Sequence, residues 1–120
     1  MNPIVIAEIG AVHAGKLDRA KELVKLASSA GSHYAKFQKR NPVESTPKHL
    51  WHLPHSNARF SYGKTYLEHR QNLELTIEQH AELKRYCESL NIGYATSVWD
   101  MTSANEVVSL NPDFIKSQAQ

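Results

Sequence analysis

Apolar residues run almost unbroken from Ile4 to Ile9 (IVIAEI), interrupted only by Glu8. Runs of this kind, without strict alternation, mark strands of a parallel sheet covered on both faces. A first strand is expected there, with Glu8 near its C-terminal end and Gly10, His13 and Gly15 in the loop beyond it. Leu17, Ala20, Leu23, Val24 and Ala27 then recur at helical spacing, and Gly31 stands where a left-handed residue closes a helix. That predicts a helix from Leu17 to Ala30. In His33–Arg40 (HYAKFQKR) apolar Tyr34, Ala35 and Phe37 interleave with Lys36 and Gln38, which predicts a second, buried strand. Strand, helix and strand in succession make a βαβ unit, whose crossover is right-handed almost without exception.

The rhythm breaks between Asn41 and Leu75. Pro42, Pro47 and Pro54 with scattered aromatics predict a long ordered loop with at most a short helical turn. Trp51, Phe60, Tyr62 and Tyr66 argue against disorder. Thr76-Ile77-Glu78-Gln79 then has the form of a capping box. It opens a helix with Ile77, Ala81, Leu83, Cys87 and Leu90 inward, stopped by Asn91 and Gly93. A third strand is expected from Ile92 to Trp99, ending in Thr96, Ser97 and Asp100 at the rim that holds Glu8 and Lys36. Ser103-Ala104-Asn105-Glu106 reads as a second capping box before a short helix, and Phe114-Ile115-Lys116 begins a fourth strand. Alternation of this order means α/β with a parallel sheet. A three-layer open sheet and a (β/α) barrel both start this way.

Length allows about one domain, residues 1–120. The net charge of +2 has both signs interspersed, which disfavours nucleic acid as a partner. No run approaches a membrane span and no leader pattern opens the chain, so a soluble, cytoplasmic protein is expected. The single Cys87 falls on the apolar side of a helix and reads as core rather than nucleophile.

Chemistry concentrates at the strand ends. A lysine inside a buried strand must reach water or hold an anion, because an unpaired buried ammonium is costly. Lys36 is such a lysine. Glu8, Gln38, Ser97 and Lys116 also fall near C-terminal strand ends, the edge where ligands bind in parallel α/β folds. Two lysines, a glutamine, a serine and a glutamate suit a small, multiply anionic ligand. They form no nucleophilic triad, and neither common glycine-rich phosphate loop is present. His49, His52 and His55 recur every three residues, but Pro54 prevents one helix from aligning them, so no metal ligands are assigned. Tyr62, Tyr66 and Arg70, in a dense polar cluster, are the expected ligand-facing residues of the long loop.

As a set these motifs resemble the N-terminal half of the sialic acid synthase family. The resemblance rests on Ala7-Glu8-Ile9-Gly10 with His13 and Gly15, Lys36-Phe37-Gln38-Lys39-Arg40, Tyr62-Gly63-Lys64-Thr65-Tyr66 with Glu68-His69-Arg70, Ser97-Val98-Trp99-Asp100, and Phe114-Ile115-Lys116. It implies a partial (β/α)8 TIM-type barrel, its first three to four βα units, with a long loop after the second strand. It implies a C–C bond-forming transferase of the N-acetylneuraminate synthase type, which condenses phosphoenolpyruvate with an N-acetylmannosamine-type sugar in nonulosonic acid and surface-polysaccharide biosynthesis. It also implies a divalent metal, manganese or magnesium, whose histidine ligands fall in the second half of such barrels and have no counterpart in this chain.

Carried over by motif, Lys36 and Lys116 hold the phosphate and carboxylate of phosphoenolpyruvate, Ser97 and Gln38 donate hydrogen bonds, and Glu8 stands near the reacting carbons or the water. Two departures stand out. Val12 occupies a position where many relatives carry asparagine, and Lys116 is followed by Ser117-Gln118-Ala119-Gln120 where the family places a phosphate-contacting serine after a proline or glycine. A full barrel takes about 250 residues. Two expectations follow: a synthase that works only with a complementing second half or by self-association, and a truncated, catalytically inactive fragment that retains a phosphoenolpyruvate half-site.

Overall fold

The computed structural model describes residues 2–55 and 61–118. Phe60, Ala119 and Gln120 lie outside the described residues. Four strands, β1 (Ile6–Gly10), β2 (Tyr34–Lys39), β3 (Gly93–Val98) and β4 (Phe114–Ser117), form one sheet in the order β1-β2-β3-β4, every pair parallel. Among the described residues five α-helices lie between them: α1 (Leu17–Ser29), α2 (Pro42–Ser45), α3 (Tyr66–Asn72), α4 (Ile77–Ser89) and α5 (Met101–Val108). Strand order equal to chain order, with helical crossovers, is the path of a (β/α) barrel rather than of an open sheet that reverses direction.

The core forms between the helices and one face of the sheet. Ala20, Val24 and Ala27 of α1 and Leu83 and Cys87 of α4 pack with Ala35 and Phe37 of β2 and Tyr94 of β3. Side chains alternate across a strand. The residues of β2 that face these helices are therefore Ala35, Phe37 and Lys39, and the opposite face receives Lys36 and Gln38. Phe37 stacks on Tyr94 with ring centroids 5.6 Å apart and meets the edge of His80 at 6.0 Å. Truncating a side chain so enclosed costs about 3–5 kcal/mol.

The expected helix ends are present. Gly31 adopts φ +85 just past α1, and Asn91 and Asn111 take positive φ after α4 and α5. Thr76 accepts from Gln79 N–H at 3.1 Å while Gln79 Oε1 accepts from Thr76 N–H at 2.8 Å, a complete capping box.

Four expectations are corrected. Ile4, Val5 and Ile6 are 69%, 47% and 45% exposed, so the first apolar run is not covered on both faces; among the described residues β1 is an edge strand paired only with β2. The 41–75 connection is more structured than a loop with one turn, since it holds α2, a 3-10 turn at Lys48–Leu50 and α3. Helix α5 starts earlier than its expected box: Asp100 is the N-cap, its Oδ1 accepting from Ser103 N–H at 2.7 Å. A carboxylate at the helix N-terminus also gains from the macrodipole, so Asp100 takes the cap and Ser103 is buried inside the helix. Thr96 does not share a rim with Ser97, because strand alternation turns it to the helix face.

Candidate functional site

Register brings the predicted residues together. Glu8 of β1 stands opposite Lys36 of β2, Gln38 opposite Ser97 of β3, and Ser97 opposite Lys116 of β4. Partners in register share a face, so these five side chains lie on the one that α1 and α4 leave open. Lys36 is 9% exposed. Its Nζ forms an ion pair with Glu8 Oε2 and donates to Ser97 Oγ at 2.8 Å. The buried ammonium is thus held by one carboxylate and one hydroxyl. Ser97 is fully buried, whereas the Glu8 side chain is 52% exposed and has room to swing into water.

Gly10 allows this packing. A bulge between Glu8 and Gly10 ends the regular register, and Gly10 adopts φ +55. A Cβ added there would stand 3.2 Å from Gln38 Nε2 and 3.4 Å from Glu8 Oε1, so the glycine keeps these two side chains at the strand end. Lys116 is exposed, opposite Ser97 in register and on the same face as Lys36. His13, in the loop after β1, is 1% exposed; its Nδ1 accepts from Gly15 N–H at 3.0 Å, and burial pushes its pKa below the usual histidine range.

A second polar cluster caps the C-terminal end of β2. Lys39, on the helix face, is buried and lies 3.9 Å from Glu74 Oε1. That same oxygen accepts from Arg40 N–H at 2.8 Å. Burial raises the Glu74 pKa, against the pull of the Arg40 N–H, Lys39, Arg70 and the Arg40 side chain. Arg40 lays its guanidinium 3.8 Å from the ring centroid of Trp99. Burial and then Arg70 lower its pKa, while Glu74, Tyr66 and Asp100 work the other way. Tyr66 and Arg70 of α3 therefore act electrostatically on Arg40. Tyr62, in the turn before α3, is exposed, and its N–H donates to His69 Nδ1 at 3.0 Å.

Asp100 braces the rim. Besides capping α5, its Oδ2 accepts from Asn41 N–H at 2.7 Å, which ties the turn after β2 to the turn after β3. Glu74 and the double role of Asp100 escaped the sequence reading. Glu74 sits two residues before a recognisable helix cap, and nothing in its spacing shows that Lys39 and Arg40, more than thirty residues earlier, close around it.

Among the described residues no group of three or more His, Cys, Asp or Glu side chains gathers to hold a metal ion. These residues do not fit the implied divalent ion, and no step is assigned to it. No helix among them is long and apolar enough to cross a membrane.

The chain is 37% identical over 112 residues to N-acetylneuraminate-9-phosphate synthase of Homo sapiens, covering 93% of this chain and 31% of that protein. It is 28% identical over 102 residues to N,N'-diacetyllegionaminic acid synthase of Campylobacter jejuni, covering 85% of this chain and 30% of that one. The sialic acid synthetase of Leptospira borgpetersenii, solved with citrate, superposes with a TM-score of 0.73 at 23% identity, over 95% of this chain and 35% of that structure. The spore coat polysaccharide biosynthesis protein spsE of Bacillus subtilis superposes with a TM-score of 0.63 at 27% identity, over 95% of this chain and 28% of that one. The chain spans about a third of the length of these proteins. Its four strands and crossovers are a partial (β/α)8 TIM-type barrel. The NeuB family model matches residues 23–119, and the chain belongs to the NeuB family.

Proposed function

We propose that this chain forms the phosphoenolpyruvate-binding part of a synthase that condenses phosphoenolpyruvate with an N-acylmannosamine-type sugar. One observation carries the reading: Lys36, buried on the open sheet face, is held by a half-exposed carboxylate and a buried hydroxyl, with Gln38 and Lys116 beside them. In the closed pair Glu8 stands in for an anionic ligand. When phosphoenolpyruvate arrives, Glu8 releases Lys36 and moves toward solvent, while Ser97, Gln38 and Lys116 complete the anion's shell. Preorganised cations and donors of this kind are usually the largest contribution to catalysis where charge develops.

In the proposed reaction the methylene carbon of phosphoenolpyruvate attacks the sugar aldehyde, forming the new C–C bond as the aldehyde oxygen takes a proton. Water adds to the resulting cationic carbon and loses its proton to a base, for which Glu8, freed from Lys36, is the candidate. The C–O bond to phosphate then breaks and inorganic phosphate leaves.

Because the chain spans about a third of its relatives' length, turnover is proposed to need the rest of a barrel, whether from a longer polypeptide, a separate complementing half or self-association. The alternative is an inactive chain that retains the binding site alone.

Calorimetry with phosphoenolpyruvate tests the binding claim. The wild-type chain is expected to bind, and Lys36→Ala to lose about 1.5–3 kcal/mol, the worth of a hydrogen bond to a charged group, or about tenfold to a hundredfold in affinity. Equal affinity in the two proteins overturns the reading. Condensation assayed with the chain alone and mixed with the rest of a barrel separates the synthase from its inactive alternative.

A further inference from the structure

We infer that His13 is a positioning residue for the anion site: its buried ring fixes the loop after β1 and, through Gly10, sets where Glu8 and Gln38 stand around Lys36. The inference rests on the phosphoenolpyruvate-binding reading above and names a residue that shapes that site without touching the ligand.

His13 is an unfavourable residue for its place. The ring is 1% exposed and lies beside Phe37, ring centroids 6.5 Å apart. Its Nε2 is buried with no hydrogen-bond partner among the described residues. A buried polar atom left unpaired loses its hydration without recompense, so an apolar side chain would suit this space better. Departures of this kind from local consistency are expected at functional sites. His80, the other fully buried histidine, lies within α4 and bonds Tyr94, whereas His13 stands in the loop that enters the rim.

The ring holds that loop together. Its Nδ1 accepts from Gly15 N–H at 3.0 Å, so the neutral imidazole carries its proton on Nε2. The Gly10 carbonyl also acts on the ring as an acceptor, raising its pKa against burial. Between these two glycines the backbone turns sharply: Val12 N–H donates to the Ile9 carbonyl at 3.0 Å and Ala14 N–H to the Ala11 carbonyl at 3.0 Å. Ala14 itself has φ +54, a strained conformation for a residue with a Cβ, which persists only where the surroundings over-determine it. The His13 ring is part of what does so. On one side the loop cannot retreat, since a Cβ on Gly15 would already lie 2.3 Å from the Asn72 carbonyl oxygen. On the other, Gly10 stands so close to Gln38 Nε2 and Glu8 Oε1 that a displacement of its backbone by a few tenths of an ångström, about the slack of such a contact, is passed to both side chains. Phe37, against the ring, lies in β2 between Lys36 and Gln38 and braces the same strand end from the helix face.

Calorimetry with phosphoenolpyruvate, thermal melts and amide NMR on wild type, His13→Met and His13→Gln test the role. Methionine fills the space with a flexible apolar chain and cannot hold the loop by hydrogen bonds of comparable strength. Glutamine keeps an acceptor for Gly15 N–H and a donor besides. The methionine variant is expected to lose about tenfold in phosphoenolpyruvate affinity, and the glutamine variant to recover most of it. The Gly10 amide and the Gln38 side-chain amide should shift in the first and stay near their wild-type positions in the second. A lowered melting temperature with unchanged affinity and unshifted Gln38 overturns the role, leaving His13 a core side chain. Equal losses in the two variants also overturn it, because side-chain shape rather than the bonded nitrogen then governs. Should the methionine variant fail to fold, the wild type decides: phosphoenolpyruvate should shift the His13 ring nitrogens and the Gly15 amide together with Gln38, and a ring untouched by the ligand overturns the link. If wild type does not bind phosphoenolpyruvate, the synthase reading falls, while the Gly10 and Gln38 resonances of the two variants still judge His13.

Discussion

Acid should unfold this protein through His80. The ring is fully buried under β2, its Nδ1 2.7 Å from Tyr94 Oη and its plane nearly perpendicular to that of Phe37. Burial, with Lys39 and His13 adding to it, lowers its pKa from 6.5 to about 3. Below the unfolded pKa the unfolded chain takes a proton that the native state refuses. The stabilisation is therefore full above that value and is lost as pH falls. At about pH 5 the unfolded histidine is almost entirely protonated and the native one still neutral, which costs about 2 kcal/mol relative to about pH 7.5. For a chain of this size the melting temperature should fall by about 6–10 °C. Thermal melts followed by circular dichroism across that range, for wild type and His80→Gln, check the reasoning. Glutamine keeps an amide for the Tyr94 hydroxyl and cannot titrate. Burial also lowers the His13 and His69 pKa values, but those contributions are common to both proteins and cancel in the difference. The variant should lose about 2 kcal/mol less than wild type on acidification. Parallel curves would refute the assignment.

Asp100→Ala removes the cap of α5 and the tie to Asn41 together, and should cost about 1–3 kcal/mol in urea unfolding, whereas Thr76→Ala, one half of a surface capping box, should cost about 1 kcal/mol. Gly15→Ala should be more damaging than either, because Gly15 has φ +75 and a Cβ there would lie 2.3 Å from the Asn72 carbonyl oxygen; expression as soluble, cooperatively melting protein would count against this. Cys87, buried in the core with its thiol pushed up to about 12 by burial and by Asp113 and Glu88, should react with a thiol reagent only as fast as the protein opens, and rapid labelling of the native state would contradict the structure.

Much of this architecture was written locally. The apolar alternation of β2, the period of α1, Gly31 and the Thr76–Gln79 box are each set by residues a few positions apart, and each appears as expected. The shared face of Glu8, Lys36, Gln38, Ser97 and Lys116 was legible too, because strand parity and parallel pairing leave little choice once the strands are placed. What sequence missed depends on partners far along the chain. Ser103 and Asp100 are both good cap residues, and the Asn41 N–H, distant in sequence, helps fix Asp100 in place. His80 lies on a helix amid polar residues, and only the arrival of Tyr94 makes it a buried, neutral ring. The exposure of Ile4, Val5 and Ile6 follows from the lack of a described neighbour on that edge of β1, which an apolar run by itself does not reveal.

The order β1-β2-β3-β4 also dictates how the chain can assemble. Each strand needs only its predecessor, so pairing can advance in the direction of synthesis without waiting for distant segments. The closures are unequal, however. Tyr34 must find Gly93 across a far longer stretch than separates Ile6 from Tyr34 or Ala95 from Phe114. Loop-closure entropy grows with the logarithm of length, so joining β2 to β3 costs about 1 kcal/mol more than joining β3 to β4. The slow step of folding should therefore be the docking of the 41–75 connection, whose Glu74 meets the Arg40 N–H and so shortens the stretch that remains to be closed. The segment that carries Arg70 to the rim would then also set the pace at which the rim forms.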